Sequence, residues 1–335
     1  MPAAIDEYRV TGPLDLVTLA AAGTPLVLRG LCEHWPLVQS ARRSDTAFAQ
    51  ALAAQDNGTP VDTLLMPPEA QGLVGYNAAL DGFNYQHFKV PVTDVLKRLA
   101  QYSRVEHAPV HGVALQSAPV AACLPGLLTQ HTIAGLPPEV QPRLWLGNQV
   151  TTPAHFDAFH NIAVVACGRR RFTVFAPDQV GNLYIGPLDF APTGAAISLA
   201  RLDAVEDPRF PRLEEAMANA LTADLSPGDA LYLPPLWWHH VASLARLNAL
   251  VNYWWQPPMA DGRAPSPGMA ALLHARLAFA GLAPAERAAW RTLMEHYVFA
   301  DEDPAAHIPA ERRGVLGPLD ATTVATLRQR IANSL

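Results

Sequence analysis

The chain has 335 residues, half of them hydrophobic and only 16% charged, enough to bury a large core and against extended disorder. A formal net charge of −6 disfavours broad binding to a nucleic-acid backbone, which needs a surplus of lysine and arginine. Three scattered cysteines, Cys32, Cys123 and Cys167, exclude a disulfide framework or a cysteine-based zinc site and suit a reducing compartment.

The opening "MPAAIDEYRV" lacks a charged-then-apolar signal, and no apolar run approaches the roughly 20 residues of a membrane span. A cytoplasmic protein without a membrane partner is expected. Residues 1–110 read as a mixed α/β region. "TPLVLRGLCEHWPLV" offers a short buried strand over Leu26–Leu28 and a turn at Gly30. "SDTAFAQALAAQ" places a Ser/Asp cap before an alanine-rich helix, and "VPVTDVLKRLAQY" repeats apolar residues at helical spacing. "YNAALDGFNYQHF", residues 76–88, reads as a surface loop that could present Tyr76, Asn84 and Tyr85 to a substrate.

From 111 to 260 the period shortens. "HGVALQS", "RLWLGNQV", "NIAVVACG", "RRFTVFAP", "DALYLPP" and "NALVNYWWQ" are short runs rich in β-branched and aromatic residues. Gly and Pro bound them, and several of the 31 prolines fall between them, where proline punctuates strands. A β-sandwich or barrel is predicted. Residues 187–225 read as an acidic, proline-containing insertion with a helix at "RLEEAMANAL". Residues 261–335 return to helical spacing: Pro284 opens one helix, with Trp290, Leu293, Met294 and Tyr297 on one face, and Asp320 caps another. These helices are too few to fold alone, so they cover the barrel or pair with a second copy.

Within the β region, "TTPAHFDAFHN", residues 151–161, sets His155 and Asp157 two apart, on one face of a strand. A distant histidine follows in "PGDALYLPPLWWHHVASL". Two imidazoles and a carboxylate on one face suit Fe(II), because open coordination positions remain. Adjacent strand residues face opposite ways, so only one of His239 and His240 can join.

Together these stretches, in this order, resemble the JmjC-type cupin oxygenases, a group that includes bacterial cupin-like proteins and the asparaginyl hydroxylases of hypoxia-inducible factor. The likeness runs through most of residues 24–258 and implies a mainly β fold with flanking helices: a double-stranded β-helix (jelly-roll, cupin) core plus C-terminal helices. It implies Fe(II) on His155, Asp157 and His239, and 2-oxoglutarate as cosubstrate. Thr152, Asn161, Asn252 and Gln116 match residues of the cosubstrate pocket, and Trp254 matches an aromatic near the iron. Arg170 stands where the family hydroxylase carries a lysine for the cosubstrate's far carboxylate. Ala114 stands where it carries a tyrosine, a loss on the order of 1 kcal/mol for one hydrogen bond. His160 has no matching metal role and is expected around the site or on its substrate side.

The implied activity is hydroxylation of a C–H bond, on a protein or peptide side chain in the first instance, with a small molecule as the other substrate class. The implied assembly is a homodimer through the C-terminal helices. A non-catalytic metal-binding cupin, or a metal-dependent cupin enzyme that does not use 2-oxoglutarate, stays open as the alternative.

Overall fold

The computed structural model describes residues 2–106, 108–192, 194–257 and 268–334. The chain divides into two compact units, Met1–Trp255 and Gln256–Leu335. The N-terminal residues therefore belong to the same unit as the β region.

That unit begins with two short strands, β1 (Ala3–Ala4) and β2 (Glu7–Arg9), and helix α1 (Leu16–Ala22). Asp15 caps α1 through its side chain and Gly23, at φ 62°, closes it. Strand β3 (Leu26–Arg29) precedes α2 (Pro36–Arg43) and α3 (Asp45–Ala53), the latter capped by Ser44 as its sequence predicts. Next come β4 (Val61–Met66), β5 (Gln86–Val90), α4 (Val92–Tyr102), β6 (Gly112–Pro119) and the single turn α5 (Val120–Cys123). The segment expected as a surface loop thus ends in an edge strand, β5, paired with β4.

The β region continues through β7 (Pro142–Gly147), β8 (Thr151–His155), β9 (His160–Cys167) and β10 (Arg170–Phe175). After an insertion containing α6 (Leu213–Ala218) it resumes with β11 (Leu221–Leu225), β12 (Ala230–Leu233), β13 (Trp238–Ser243) and β14 (Asn248–Trp255). The insertion differs from the sequence expectation at its end: "RLEEAMANAL" stops being helical at Ala218, and Leu221–Leu225 pairs with β10.

Two sheets result, one of five strands in the order β1-β11-β10-β13-β8 and one of nine in the order β2-β3-β12-β9-β14-β7-β6-β4-β5. The five-stranded sheet is antiparallel except where β1 joins β11, and it faces the nine-stranded sheet. Phe172, Val174, Leu225 and Val241 from one sheet pack against Ala163, Val165, Leu231 and Leu250 from the other. The opposite face of the nine-stranded sheet is covered by α2, α3 and α4, whose Val38, Phe48, Leu52 and Leu96 join Leu115, Leu144, Val164 and Tyr232 in one core. A mainly β, jelly-roll-like core with flanking helices is therefore the architecture, and β2 to β5 extend its larger sheet.

The second unit contains α7 (Gly268–Phe279), α8 (Pro284–Met294) and α9 (Ala321–Ser334). Phe279 and Trp290 stack with ring centroids 5.0 Å apart, and Asp320 caps α9 by accepting from the Thr323 N–H. Among the described residues no helix is long and apolar enough to cross a membrane.

Candidate active site

The space between the sheets is where the predicted residues meet. On β10, Phe172 and Val174 belong to the inter-sheet core, so Arg170, in step with them, faces inward, while Arg171 and Thr173 face out. On β13, His239 lies opposite Val174 on one side and His155 on the other. Val241 lies opposite Phe172 and Thr152.

Two steps along β13, from 239 to 241, match three along β8, from 155 to 152. Strict alternation would put Thr152 and His155 on opposite faces. The irregularity at Pro153–Ala154 returns both to the interior, and proline, which has no N–H to give, suits that position.

His155 and His239 approach with ring centroids 4.2 Å apart. His155 Nδ1 lies 2.9 Å from the Pro153 carbonyl, and His239 Nδ1 lies 3.0 Å from the Trp237 carbonyl. A carbonyl only accepts, so each Nδ1 carries the proton and each Nε2 keeps its lone pair. Metal-ligating histidines are commonly held in this way. Burial, followed by the neighbouring His155, pushes the His239 pKa well below its usual value, against a smaller opposing pull from Asp157. The imidazole is therefore neutral near pH 7.

Asp157 is fixed by three contacts. Its carbonyl accepts from the Leu236 N–H at 2.8 Å, tying the loop after β8 to the loop before β13. Leu236 has φ 66°, a left-handed conformation that costs a leucine about 1–2 kcal/mol. The carboxylate Oδ2 accepts from Trp254 Nε1 at 3.0 Å and from Asn161 Nδ2 at 3.2 Å, and His239 Nε2 is 3.7 Å away. Behind it runs a polar chain, in which Trp145 Nε1 donates to Asn252 Oδ1 at 2.9 Å and Asn252 Nδ2 to Asn161 Oδ1 at 3.5 Å.

Trp145 was not foreseen as a site residue. Its inward position in "RLWLGNQV" is the signal that could have found it, but that signal does not separate a polar anchor from core packing. Trp254 meets Trp145 edge-on at 6.2 Å, and Arg143 lies 5.9 Å over the Trp254 ring.

Arg170 is buried at 9% exposure, and its Nε is shut from solvent without a hydrogen-bond partner. Among the described residues no carboxylate forms an ion pair with it. Burial alone lowers its pKa to about 10, so the guanidinium is still a cation. It sits opposite Ser243, four residues from the Val174–His239 row, which is ~13 Å of strand at 3.3 Å per residue. Thr152, opposite Val241, falls between. The neighbouring Arg169 and Arg171 instead pair with Asp224 on the outer surface.

The remaining predicted residues divide. Ala114 is buried among Leu64, Met66, Val74 and Val150, and Gln116 follows two residues on along β6, half-buried, where the β6–β7 register shifts. His160 does not reach the site. It is in step with Ile162 and Val164, which face the helix-covered core, and it stacks against Trp255 at 5.2 Å with Nδ1 2.9 Å from the Tyr232 hydroxyl. Tyr76, Asn84 and Tyr85 present no free polar group to a substrate. Tyr76 and Tyr85 donate to the carbonyls of Phe190 and Pro192, and Asn84 bonds the backbone of Leu73 and Gly75. Trp238 packs with Phe156 on the outer side of the smaller sheet, and Trp237 donates to the Gly23 carbonyl. Among the described residues no group of three or more His, Cys, Asp or Glu side chains forms a ready-made metal cage. The predicted donors gather as two facing imidazoles beside an anchored carboxylate.

Residues 16–261 match the cupin-like domain family, and the chain belongs to it. Jumonji C domain-containing protein 5 of Drosophila melanogaster is 28% identical over 245 residues, covering 70% of this chain and 55% of that protein. HSPB1-associated protein 1 of Homo sapiens is 32% identical over 115 residues, 33% of this chain and 22% of that protein. Lysine-specific demethylase JMJ31 of Arabidopsis thaliana is 29% identical over 116 residues, 33% of this chain and 20% of that protein. The chain spans about half the length, or less, of these curated relatives.

Proposed function

We propose that the protein is an Fe(II)- and 2-oxoglutarate-dependent oxygenase that hydroxylates a C–H bond of a protein side chain. The observation that carries this reading is the buried, unpaired guanidinium of Arg170 on the same interior wall as the His155–His239 pair. A buried cation without a counter-ion is costly, and a dianionic cosubstrate supplies one.

The donor set fits the metal. Two neutral imidazoles with free Nε2 lone pairs and one carboxylate are the ligands that leave Fe(II) open positions, and His155, Asp157 and His239 would hold it. Iron held there would supply the oxidising chemistry, in which 2-oxoglutarate and dioxygen give succinate and carbon dioxide, one oxygen atom entering the substrate C–H bond and the other the succinate. The chain's own residues do the positioning. Trp254 and Asn161 both donate to Oδ2 of Asp157 and so would hold the carboxylate beside the histidine pair. Thr152 and Arg170 follow the histidine pair in order down the wall, where a bidentate arginine receives the far carboxylate. On the facing wall, from the nine-stranded sheet, Asn161, Asn252 and Trp145 are polar but bonded to one another, and Ala114 adds an apolar position.

Anaerobic addition of Fe(II) and 2-oxoglutarate should produce a weak visible charge-transfer band, and air should then release succinate. Iron binding without the band would favour a cupin that does not use 2-oxoglutarate. A protein substrate is supported by the family relatives named as lysine-specific demethylases. Self-association is a separate part of the proposal: the second unit exposes Leu272, Leu277, Trp290, Leu293 and Phe299, an apolar surface of the kind that marks an interface. Light scattering should give a dimer mass, and Leu277→Glu with Leu293→Glu a monomer.

A further inference from the structure

The smaller sheet has a second face, turned away from the histidine pair, and a cavity of about 1180 Å³ lies over it. Thr173 of β10 and His240 of β13 are direct cross-strand partners in its floor. Its walls come from the loop after β4, including Leu73 and Tyr76, and from the insertion before β11, including Leu199 and Phe210. Ligand pockets usually measure about 300–1,000 Å³, so the space admits a whole small molecule.

Two observations bear on what that molecule is. First, His240 Nδ1 is closed off from solvent and has no hydrogen-bond partner, which is rare for a buried polar atom and marks a missing one. Second, the charged groups of the lining are already matched. Arg171 forks onto Asp224 at 2.7 and 2.9 Å, Arg201 onto Asp203 at 2.9 and 2.7 Å, and Arg209 onto Asp207 at 3.0 and 2.6 Å. Forked pairs of this kind leave little attraction for a free anion or cation. The floor sets the His240 ring beside the Thr173 hydroxyl, and Leu73, Leu199 and Phe210 offer apolar walls.

We propose that this cavity binds an uncharged, mainly apolar small molecule that hydrogen-bonds to His240 and Thr173, at a site separate from the one between the sheets. The test uses 1-aminoanthracene, a neutral aromatic amine whose fluorescence rises in apolar surroundings, titrated into the full chain. The expected result is one saturable site. It should weaken at least tenfold in His240→Phe and in the cavity-filling Leu199→Trp, and several-fold in Thr173→Val. Affinity should be unchanged in Asp157→Ala, which alters only the interior site. Absence of saturable binding, binding indifferent to Leu199→Trp and Thr173→Val, or binding lost in Asp157→Ala would each overturn the proposal. Leu199→Trp and Thr173→Val leave His240 intact, so they decide the matter even if His240→Phe does not fold.

Discussion

Arg170→Met separates an arginine that holds the fold from one that waits for a ligand. Burial lowers its pKa from 12.5 to about 10. At about 1.36 kcal/mol per pH unit this is a cost of about 3 kcal/mol for keeping the charged form inside. The sign follows directly. A cation whose folded pKa is depressed is disfavoured in the folded state at every pH below about 10, so the cost is present throughout the physiological range. Methionine has a similar length and no charge. Without ligand, the variant should therefore be the more stable protein, by up to about 3 kcal/mol. A domain of this size gains ~2–4 °C per kcal/mol, so a melting temperature several degrees higher is expected. With ligand the order reverses. Hydrogen bonds to a charged group contribute about 1.5–3 kcal/mol, so 2-oxoglutarate should bind roughly 10- to 150-fold more weakly. Thermal melts with and without 2-oxoglutarate, in the presence of Mn(II) as a redox-silent substitute, read both effects in one experiment. A lower melting temperature without ligand, or an unchanged ligand-induced rise, would refute the reasoning.

Trp254→Phe removes the indole N–H from Asp157 Oδ2 and keeps the ring, so metal affinity measured by equilibrium dialysis with Co(II) should fall ~10- to 100-fold, while Asp157→Ala should retain none. Burial holds both His239 and His240 at about 4, below the value near 6.5 of an unfolded chain. The unfolded state thus takes up protons first as pH falls. Urea unfolding of the metal-free protein should show stability flat from pH 8 to 7 and falling below about 6.5, by about 2 kcal/mol per histidine at pH 5; His240→Gln should lessen the fall, and a flat profile to pH 5 would contradict it. Gly168, at φ 75°, turns the chain between β9 and β10, and a Cβ there would stand 2.3 Å from the Leu247 carbonyl oxygen. Gly168→Ala should lower the melting temperature by ~4 °C or more, as scanning calorimetry would show.

The larger outlines were written in local pattern. Period-two runs between Gly and Pro gave away the strands of the β region, and the cap residues Ser44 and Asp320 stand where their helices begin. Alternation alone also separates His239 from His240 and Arg170 from its two arginine neighbours, because adjacent side chains of a strand cannot share a face. The strand Leu221–Leu225 escaped notice since its ladder partner β10 lies some fifty residues back, and pairing rather than propensity makes it a strand.

Sequence by itself therefore determined which residues alternate, where elements begin, and that two histidines and an aspartate of the right spacing occur. Only the tertiary structure decided their use. A bulge at Pro153–Ala154 brings Thr152 and His155 to one face against simple parity, and the sheet direction sends His160 into the opposite core. The packing of one sheet over another seals Arg170 Nε away from water with no partner, and on the outer face of the smaller sheet His240 Nδ1 is likewise sealed without one. Local periodicity states which way a side chain points along its own strand. Which other strands arrive there, and whether they bring a partner, depends on contacts between residues far apart in the chain.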